Sequence, residues 1–120
     1  MIIEGTKTTP NIYIEKGVLE IKGRSIPEDA FEFFSPVLHK IQFDLPLIDN
    51  KLEIKFHLEY INSGSKKYLS NILWLLDQIY SKGKEMVIYW YYDYDDDAMN
   101  ELGNDYRTMV QIPFHIVEVK

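Results

Sequence analysis

The polar segment Asn62–Lys67 contains the residue types that a phosphate site requires. Its serine hydroxyls can accept a phosphoryl group, and its two lysines can neutralise the added charge. The segment follows strictly alternating apolar residues and precedes apolar residues spaced three and four apart, which predicts a junction between a strand and a helix. The N terminus of a helix attracts anions through its dipole and free N–H groups. One interpretation is therefore a phosphate-binding or partner-binding site built from Asn62, Ser63, Gly64, Ser65, Lys66 and Lys67.

The same segment has a second interpretation that requires no function. Ser63 or Ser65 is a suitable N-cap for the helix, and such a cap stabilises a helix by about 1 kcal/mol. Lys66 and Lys67 weaken that interpretation, because the first turn of a helix favours acidic residues. Lysine has good intrinsic helix propensity, so this conflict amounts only to tenths of a kcal/mol. On the residues alone, both interpretations stay open.

A second group of reactive side chains is the acidic stretch Asp93–Asp105, which has six carboxylates and no basic residue. Carboxylate oxygens are ligands for Mg²⁺ or Ca²⁺, so a small Mg²⁺- or Mn²⁺-dependent enzyme is an alternative function. The ligand spacing of a calcium-binding EF-hand loop is missing, however. We predict instead a helix cap with an acidic first turn at Asp95–Asp97, with no metal and no cofactor.

The histidines and the aromatic run offer weaker chemical signals. His39, His57 and His115 have no close sequence partner and are predicted on one helix and two strands. The run Tyr89–Tyr92 could stack on bases, but acidic residues follow it immediately, and the chain has 19 acidic against 13 basic residues. Base-stacking surfaces work with a positively charged groove, so we predict no nucleic-acid binding and assign the run to a strand buried on both faces.

The elements that position these residues follow from hydrophobic periodicity. We predict a hairpin turning at Lys16-Gly17, and a helix that is kinked at Pro36 or begins later than Pro27. The predicted order is then strand, helix, strand, helix and strand, with the last strand containing Phe114. The order β-β-α-β-α-β-α-β predicts one α/β domain over residues 1–120, with a mixed sheet, an N-terminal hairpin and helices packed on the sheet.

Length and composition agree with this assignment. The chain has 120 residues, 46% of them hydrophobic, which suits one folded domain. It has no cysteine, so disulfides, thiolate metal sites and a cysteine nucleophile are excluded. Neither a signal peptide nor a long apolar run is recognisable, so we predict a cytoplasmic protein without membrane insertion.

Several ordered motifs spread over nearly the whole chain resemble the SiaC family of regulatory phosphoproteins, which has the STAS-like fold also seen in anti-sigma-factor antagonists. The resemblance implies a single SiaC/STAS-like domain and a partner-switching role in signal transduction. The motifs that carry it are Thr6–Pro10, Gly23–Pro36, Tyr60–Ser65, Trp90–Asp93, Asp95–Met99, Glu101–Tyr106 and Pro113-Phe114.

The family resemblance implies a non-enzymatic switch in biofilm and cyclic-di-GMP regulation. A serine/threonine kinase phosphorylates a hydroxyl after an Asn at the start of a helix, a phosphatase reverses the reaction, and the unphosphorylated form activates a diguanylate cyclase. The corresponding residue is Ser63, where the family example has threonine, and Gly64 replaces a hydroxyl residue, so Ser65 is a rival acceptor. A constitutive adaptor, with Ser63 only a helix cap, is a further alternative.

Overall fold

The computed structural model describes residues 1–120 as a single α/β domain with one six-stranded mixed sheet, three α-helices and one short 3₁₀ turn. The strands are β1 (Ile2–Ile3), β2 (Asn11–Glu15), β3 (Val18–Ser25), β4 (Leu52–Ile61), β5 (Met86–Asp93) and β6 (Phe114–Val119), and the helices are α1 (Ala30–Phe43), α2 (Ser63–Ser81) and α3 (Asp97–Arg107), with the 3₁₀ turn at Leu45–Leu47.

The predicted N-terminal hairpin is present and is formed by β2 and β3. Lys16 and Gly17 both have positive φ, 52° and 83°, as the two central residues of a type I′ turn require. The short strand β1, which the sequence pattern does not predict, pairs antiparallel with β2. The antiparallel part of the mixed sheet is therefore confined to the N-terminal end of the chain.

Strands β3 to β6 are parallel, and each lies beside the strand that precedes it in the sequence. Crossovers between parallel strands share one hand, so this consecutive order places α1, α2 and α3 on the same face of the sheet. The buried apolar side chains of all three helices belong to one core with the strand residues that face them, such as Ile54, Phe56 and Trp90. The other face of the sheet has no helix.

The uncovered face corrects the prediction that β5 is buried on both sides. Trp90 is fully buried under the helices, and its Nε1 donates to the carbonyl of Met99 at 3.0 Å. Tyr89 and Tyr91 point to the other face and are only half-buried, with their rings stacked at 6.3 Å. An aromatic run therefore indicated a strand correctly but not how many of its faces were covered.

Helix α1 begins later than Pro27, as one of the two alternatives predicted. Asp29 is its N-cap and accepts a hydrogen bond from the N–H of Glu32 at 3.0 Å. Pro36 lies inside the helix, where its missing N–H leaves the carbonyl of Glu32 without its usual partner. The helix nevertheless continues to Phe43, because its buried residues Phe34, Val37 and Ile41 hold it on the core.

Helix α2 is the longest helix and matches its predicted apolar pattern. Its buried side chains include the five that the pattern predicted: Leu69, Ile72, Leu73, Leu76 and Ile79. The helix ends at the C-cap Lys82, followed by Gly83 with a φ of +104°, a conformation that favours glycine. No helix in the structure has both the length and the apolarity needed to cross a membrane.

Candidate functional site: the N-terminal end of helix α2

The candidate site lies where β4 passes directly into α2. Strand β4 ends at Ile61, and α2 begins at Ser63, so Asn62 alone separates them. Because β3, β4 and β5 are parallel, this junction lies at the carboxyl edge of the sheet, where loops and helix N termini gather. The predicted strand-helix junction is therefore present, and it places the first turn of α2 at the rim of the sheet.

Asn62 is the N-cap of α2, which corrects the interpretation that Ser63 or Ser65 caps the helix. Its backbone is extended, and its side-chain oxygen accepts a hydrogen bond from the N–H of Ser65 at 2.9 Å. Its own N–H donates to the carbonyl of Ser25 at 3.0 Å. Asparagine takes this role because it is the last extended residue, and its short side chain reaches the third N–H of the helix.

Ser65 is fully buried and ties the first turn of α2 to the end of β3. Its hydroxyl donates to the backbone carbonyl of Ser25 at 2.9 Å, and the two serine Oγ atoms lie 2.7 Å apart. Since the Ser65 proton goes to the carbonyl, the Ser25 hydroxyl donates to Ser65 Oγ. Both buried hydroxyls are therefore satisfied, and Ser65 has a structural role.

Ser63 and Gly64 are exposed on the opposite side of the same turn. The hydroxyl of Ser63 has no hydrogen-bond partner within the protein, in contrast to that of Ser65. The N–H groups of Ser63 and Gly64 are the first two of the helix and have no intrahelical partner. An exposed hydroxyl thus stands beside two free backbone donors at the positive end of a 19-residue helix.

Lys66 and Lys67 are both exposed, and neither is in a salt bridge. The first turn of α2 has no acidic residue, so no side chain of the helix itself offsets its positive end. The carbonyl of Lys66 accepts a hydrogen bond from the hydroxyl of Tyr106 on α3 at 3.1 Å. Burial raises the pKa of Tyr106 above its ordinary value, so this donor stays protonated even in mildly alkaline solution. The ammonium of Lys67 lies over the ring of Tyr68 at 6.0 Å, and no carboxylate neutralises either lysine.

Exposed aromatic and cationic side chains lie near the junction. Arg24, at the end of β3, stacks over the ring of Tyr60 at 5.8 Å, and these two residues are register partners one position before Ser25 and Ile61. Tyr60 is 58% exposed. Phe31 is 67% exposed in the first turn of α1, next to Ala30, which faces Gly64. These groups give the carboxyl edge the composition of a protein-binding surface.

Two residues of the acidic stretch Asp93–Asp105 form the N-cap and the first turn of α3. Asp96 is the N-cap of α3, accepting from the N–H of Met99 at 3.0 Å, and Asp97 lies in the first turn. This agrees with the predicted cap and acidic first turn. No group of three His, Asp or Glu side chains is placed to hold a metal ion. The alternative of a metal-dependent enzyme therefore has no ligand set in this structure.

The structure brings together one pair that the sequence reasoning missed. His57 Nε2 lies 3.1 Å from a carboxylate oxygen of Asp93, on the uncovered face of the sheet. The two residues are 36 apart in the chain, so only the register of the parallel strands reveals the pair. His57 is paired with Tyr91 across the strands, and Asp93 follows on the same face two residues later. No hydroxyl nucleophile is bonded to this histidine.

Comparisons with known proteins agree with this architecture. The family model described as SiaC family regulatory phosphoprotein matches residues 3–119. An uncharacterized protein of Pseudomonas aeruginosa (strain UCBPP-PA14) is 32% identical over 116 residues, which is 95% of this chain and 92% of that protein.

Chains of two solved structures from Pseudomonas aeruginosa are similar to this chain over nearly their full length. One is the diguanylate cyclase SiaD in complex with its activator SiaC, where the matched chain has a TM-score of 0.89, 30% identity and 99% coverage of both chains. The other is apo-SiaC, with a TM-score of 0.86, 30% identity and coverage of 98% of this chain and 97% of that one. The chain therefore belongs to the SiaC family of regulatory phosphoproteins.

Proposed function

We propose that this chain is a non-catalytic switch whose state is set by phosphorylation of Ser63. A partner serine/threonine kinase adds the phosphate, a phosphatase removes it, and the unphosphorylated form binds and activates a diguanylate cyclase. The observation that carries the proposal is the contrast within one helical turn. Ser63 is exposed with a free hydroxyl, whereas Ser65 is buried and fully hydrogen-bonded.

Accessibility favours Ser63 over Ser65 as the acceptor. A kinase must place the acceptor hydroxyl in line with the γ-phosphate of ATP. The hydroxyl must therefore be accessible enough to enter the active site of the kinase. Ser65 could do so only if its hydrogen bonds to Ser25 broke and the first turn of α2 unwound. Ser63 requires no such opening, since Asn62 and Ser65 hold the turn from the other side.

Electrostatics explain why a phosphate is tolerated at Ser63. Phosphorylation adds a charge of about −1.5 to −2, and the start of a helix stabilises negative charge. The free N–H groups of Ser63 and Gly64 and the lysines Lys66 and Lys67 supply the compensating donors and charge. The domain is therefore expected to keep its fold when modified, so that phosphorylation changes binding alone.

The binding consequence follows from the surface around the phosphorylated residue. Phe31 and Tyr60 expose large rings at this edge, and Arg24 lies on one of them. We expect a partner that docks on this edge to cover Ser63 as well as these rings and to exclude water from it. A dianionic phosphate there would have to be desolvated, which is costly unless the partner supplies cations. The similar protein SiaC is described as the activator of SiaD, which makes a diguanylate cyclase the partner class that we propose.

The first experiment identifies the acceptor. The chain is incubated with its cognate kinase and ATP, and phosphate is located by peptide mass spectrometry. One phosphate on Ser63 is expected, with none on Ser63→Ala and full recovery on Ser63→Thr. Phosphate on Ser65 or elsewhere would overturn the site assignment. A chain that is never phosphorylated, in the test tube or in its native cells, would support a constitutive adaptor.

The second experiment tests the switch. Binding of the cyclase to wild type, to phosphorylated chain and to Ser63→Ala is measured by calorimetry, together with cyclase activity. Wild type and Ser63→Ala are expected to bind and activate, whereas the phosphorylated chain is expected to lose at least about tenfold in affinity. Equal binding by all three forms would contradict the switch even if Ser63 is modified.

A further inference from the structure

A groove lies at the opposite end of α2 from Ser63. It has a volume of about 520 Å³ and runs between the 3₁₀ turn after α1 and the last third of α2. We call it the Trp74 groove and define it by its lining residues Pro46, Trp74, Leu75, Gln78, Lys82 and Lys84. None of its lining residues belongs to the proposed phosphorylation site at the start of α2.

Trp74 is the unusual residue of this groove. The chain has two tryptophans, and while Trp90 is fully buried, Trp74 is 62% exposed. Leu47 and Phe43, which follow the lining residues Pro46 and Gln42 in the chain, are 78% and 55% exposed. Trp74 thus offers a large exposed side chain to a concave surface, and tryptophan is among the residues that contribute most to binding energy at protein interfaces.

The charge of the Trp74 groove indicates the chemistry of its partner. The only charged lining residues are Lys82 and Lys84, and neither forms a salt bridge. This basic rim occurs on a chain with a net charge of −6. Lys82 at the C-cap of α2 also offsets the negative end of the helix dipole. Lys84 lies beyond the helix and has no such structural explanation.

We propose that the Trp74 groove docks an amphipathic helix of a protein partner, with apolar side chains against Trp74 and Leu75 and carboxylates against Lys82 and Lys84. A second copy of this chain is the less suitable occupant. A symmetric contact places the same patch on both copies, so the lysines of the two grooves would face each other with no carboxylate among the lining residues of either groove. A partner helix with flanking glutamates complements both the apolar floor and the basic rim.

This docking is independent of the phosphorylation state. Trp74 lies eleven residues after Ser63, which corresponds to about 16 Å along the helix, beyond the Debye length of about 8 Å at physiological salt. The groove would therefore hold a partner in both states of the switch. The inference does not rest on the proposed function, since it uses only the groove itself.

The probe is a fluorescein-labelled peptide of about 18 residues, five helical turns, with leucines on one face and glutamates flanking them. Binding to the full chain is followed by anisotropy, and unlabelled peptide is used to follow the fluorescence of Trp74. Saturable binding and a shift of the tryptophan emission to shorter wavelength are expected. A peptide with lysines in place of the glutamates is expected to bind at least about tenfold more weakly.

Matched variants locate the binding. Trp74→Ala is expected to lower the affinity at least about tenfold, whereas Tyr94→Ala, an equally exposed aromatic, is expected to leave it unchanged. The double variant Lys82→Gln/Lys84→Gln is expected to bind the peptide more weakly, with an affinity that depends less on salt concentration. The control at the other end of α2 is Lys66→Gln/Lys67→Gln, which is expected to bind as wild type does. Ser63→Asp is expected to bind as wild type does.

Four results would overturn the proposal. They are absence of saturable binding, equal binding of the lysine peptide, equal binding by folded Trp74→Ala, and weaker binding by Ser63→Asp. An emission shift that appears when the chain alone is concentrated would assign the groove to a second copy instead. None of these results bears on whether Ser63 is phosphorylated, so the two proposals fail separately.

Discussion

The two ends of helix α2 are held on the domain by different interactions and expose different surfaces. At the N-terminal end, Asn62 and Ser65 use hydrogen bonds to hold the first turn on β3 and leave Ser63 free. At the C-terminal end, apolar side chains do the equivalent work, with Leu73 buried and Trp74 turned outward. One continuous buried stripe joins the two ends.

This contrast shows how one helix can present two surfaces without either disturbing the core. A side chain that is exposed at either end can change its charge or its partner, because its neighbour in the chain supplies the anchoring. Ser65 anchors the turn that exposes Ser63, and Leu73 anchors the turn that exposes Trp74. Substitutions at anchor and exposed positions should therefore differ sharply in stability, which four predictions test.

The largest difference is expected between Ser65→Asp and Ser63→Asp. A carboxylate at position 65 would be buried without a cation and should lower the free energy of unfolding by about 3–5 kcal/mol. Urea denaturation at pH 7 measures both variants. Because burial raises the pKa of the new carboxyl, the loss should grow as pH rises and shrink toward acid pH. Equal stability of the two variants would mean that Ser65 is not buried.

The second comparison is made at the other end of the helix. Leu73→Ala removes a fully buried side chain and should cost about 2–5 kcal/mol in unfolding free energy. Trp74→Ala removes a larger but mostly exposed side chain and should change stability by less than about 0.5 kcal/mol. Thermal and urea unfolding of both variants tests this pair. A large loss for Trp74→Ala would show that this side chain stabilises the fold and is not free for a partner.

A smaller effect is expected at the cap of α2. Asn62→Ala removes the side-chain acceptor for the N–H of Ser65 and should destabilise the domain by about 1 kcal/mol. Asn62→Asp keeps an acceptor and should restore most of the loss. If Asn62→Ala is as stable as wild type, the cap does not hold the first turn in place.

The smallest expected effect is a gain. Ser63→Asp places a carboxylate at the first position of a helix that has no acidic residue in its first turn. It should raise the unfolding free energy by about 0.3–1 kcal/mol at low salt, and less at high salt. Unfolding curves at two salt concentrations distinguish this electrostatic stabilisation from an effect that does not depend on salt. A loss of stability at low salt would contradict the anion-binding character of this helix end.

Much of the fold could be predicted because the apolar residues of its strands and helices recur at regular spacing. Strand β4 alternates without interruption, and α2 keeps apolar residues three and four apart. The strand-helix junction at Asn62 is predicted at the point where the two-residue period of the strand is replaced by the 3.6-residue period of the helix. The rest depended on strand order: the open face beside Tyr89 and Tyr91 exists because successive crossovers have the same hand.

The roles of the two serines were predictable in principle. Ser65 precedes Leu69 and Ile72 by four and seven residues, which places it on the buried face of α2. Ser63 is rotated by about 200° from it, toward solvent. Serine is also a common N-cap, so its presence at the start of a helix suggests a capping role, but Asn62 occupies the cap position of α2.

The sequence by itself determined the α/β class, the hairpin, the strand-helix junction and the resemblance to the family, because each of these depends on local patterns or on ordered motifs. Only the tertiary structure decided that the Ser65 hydroxyl bonds to Ser25, that His57 meets Asp93 and that Trp74 borders a groove. These features depend on register and on packing between elements distant in the chain. Periodicity within one element determines which face is buried, but not what lies opposite it.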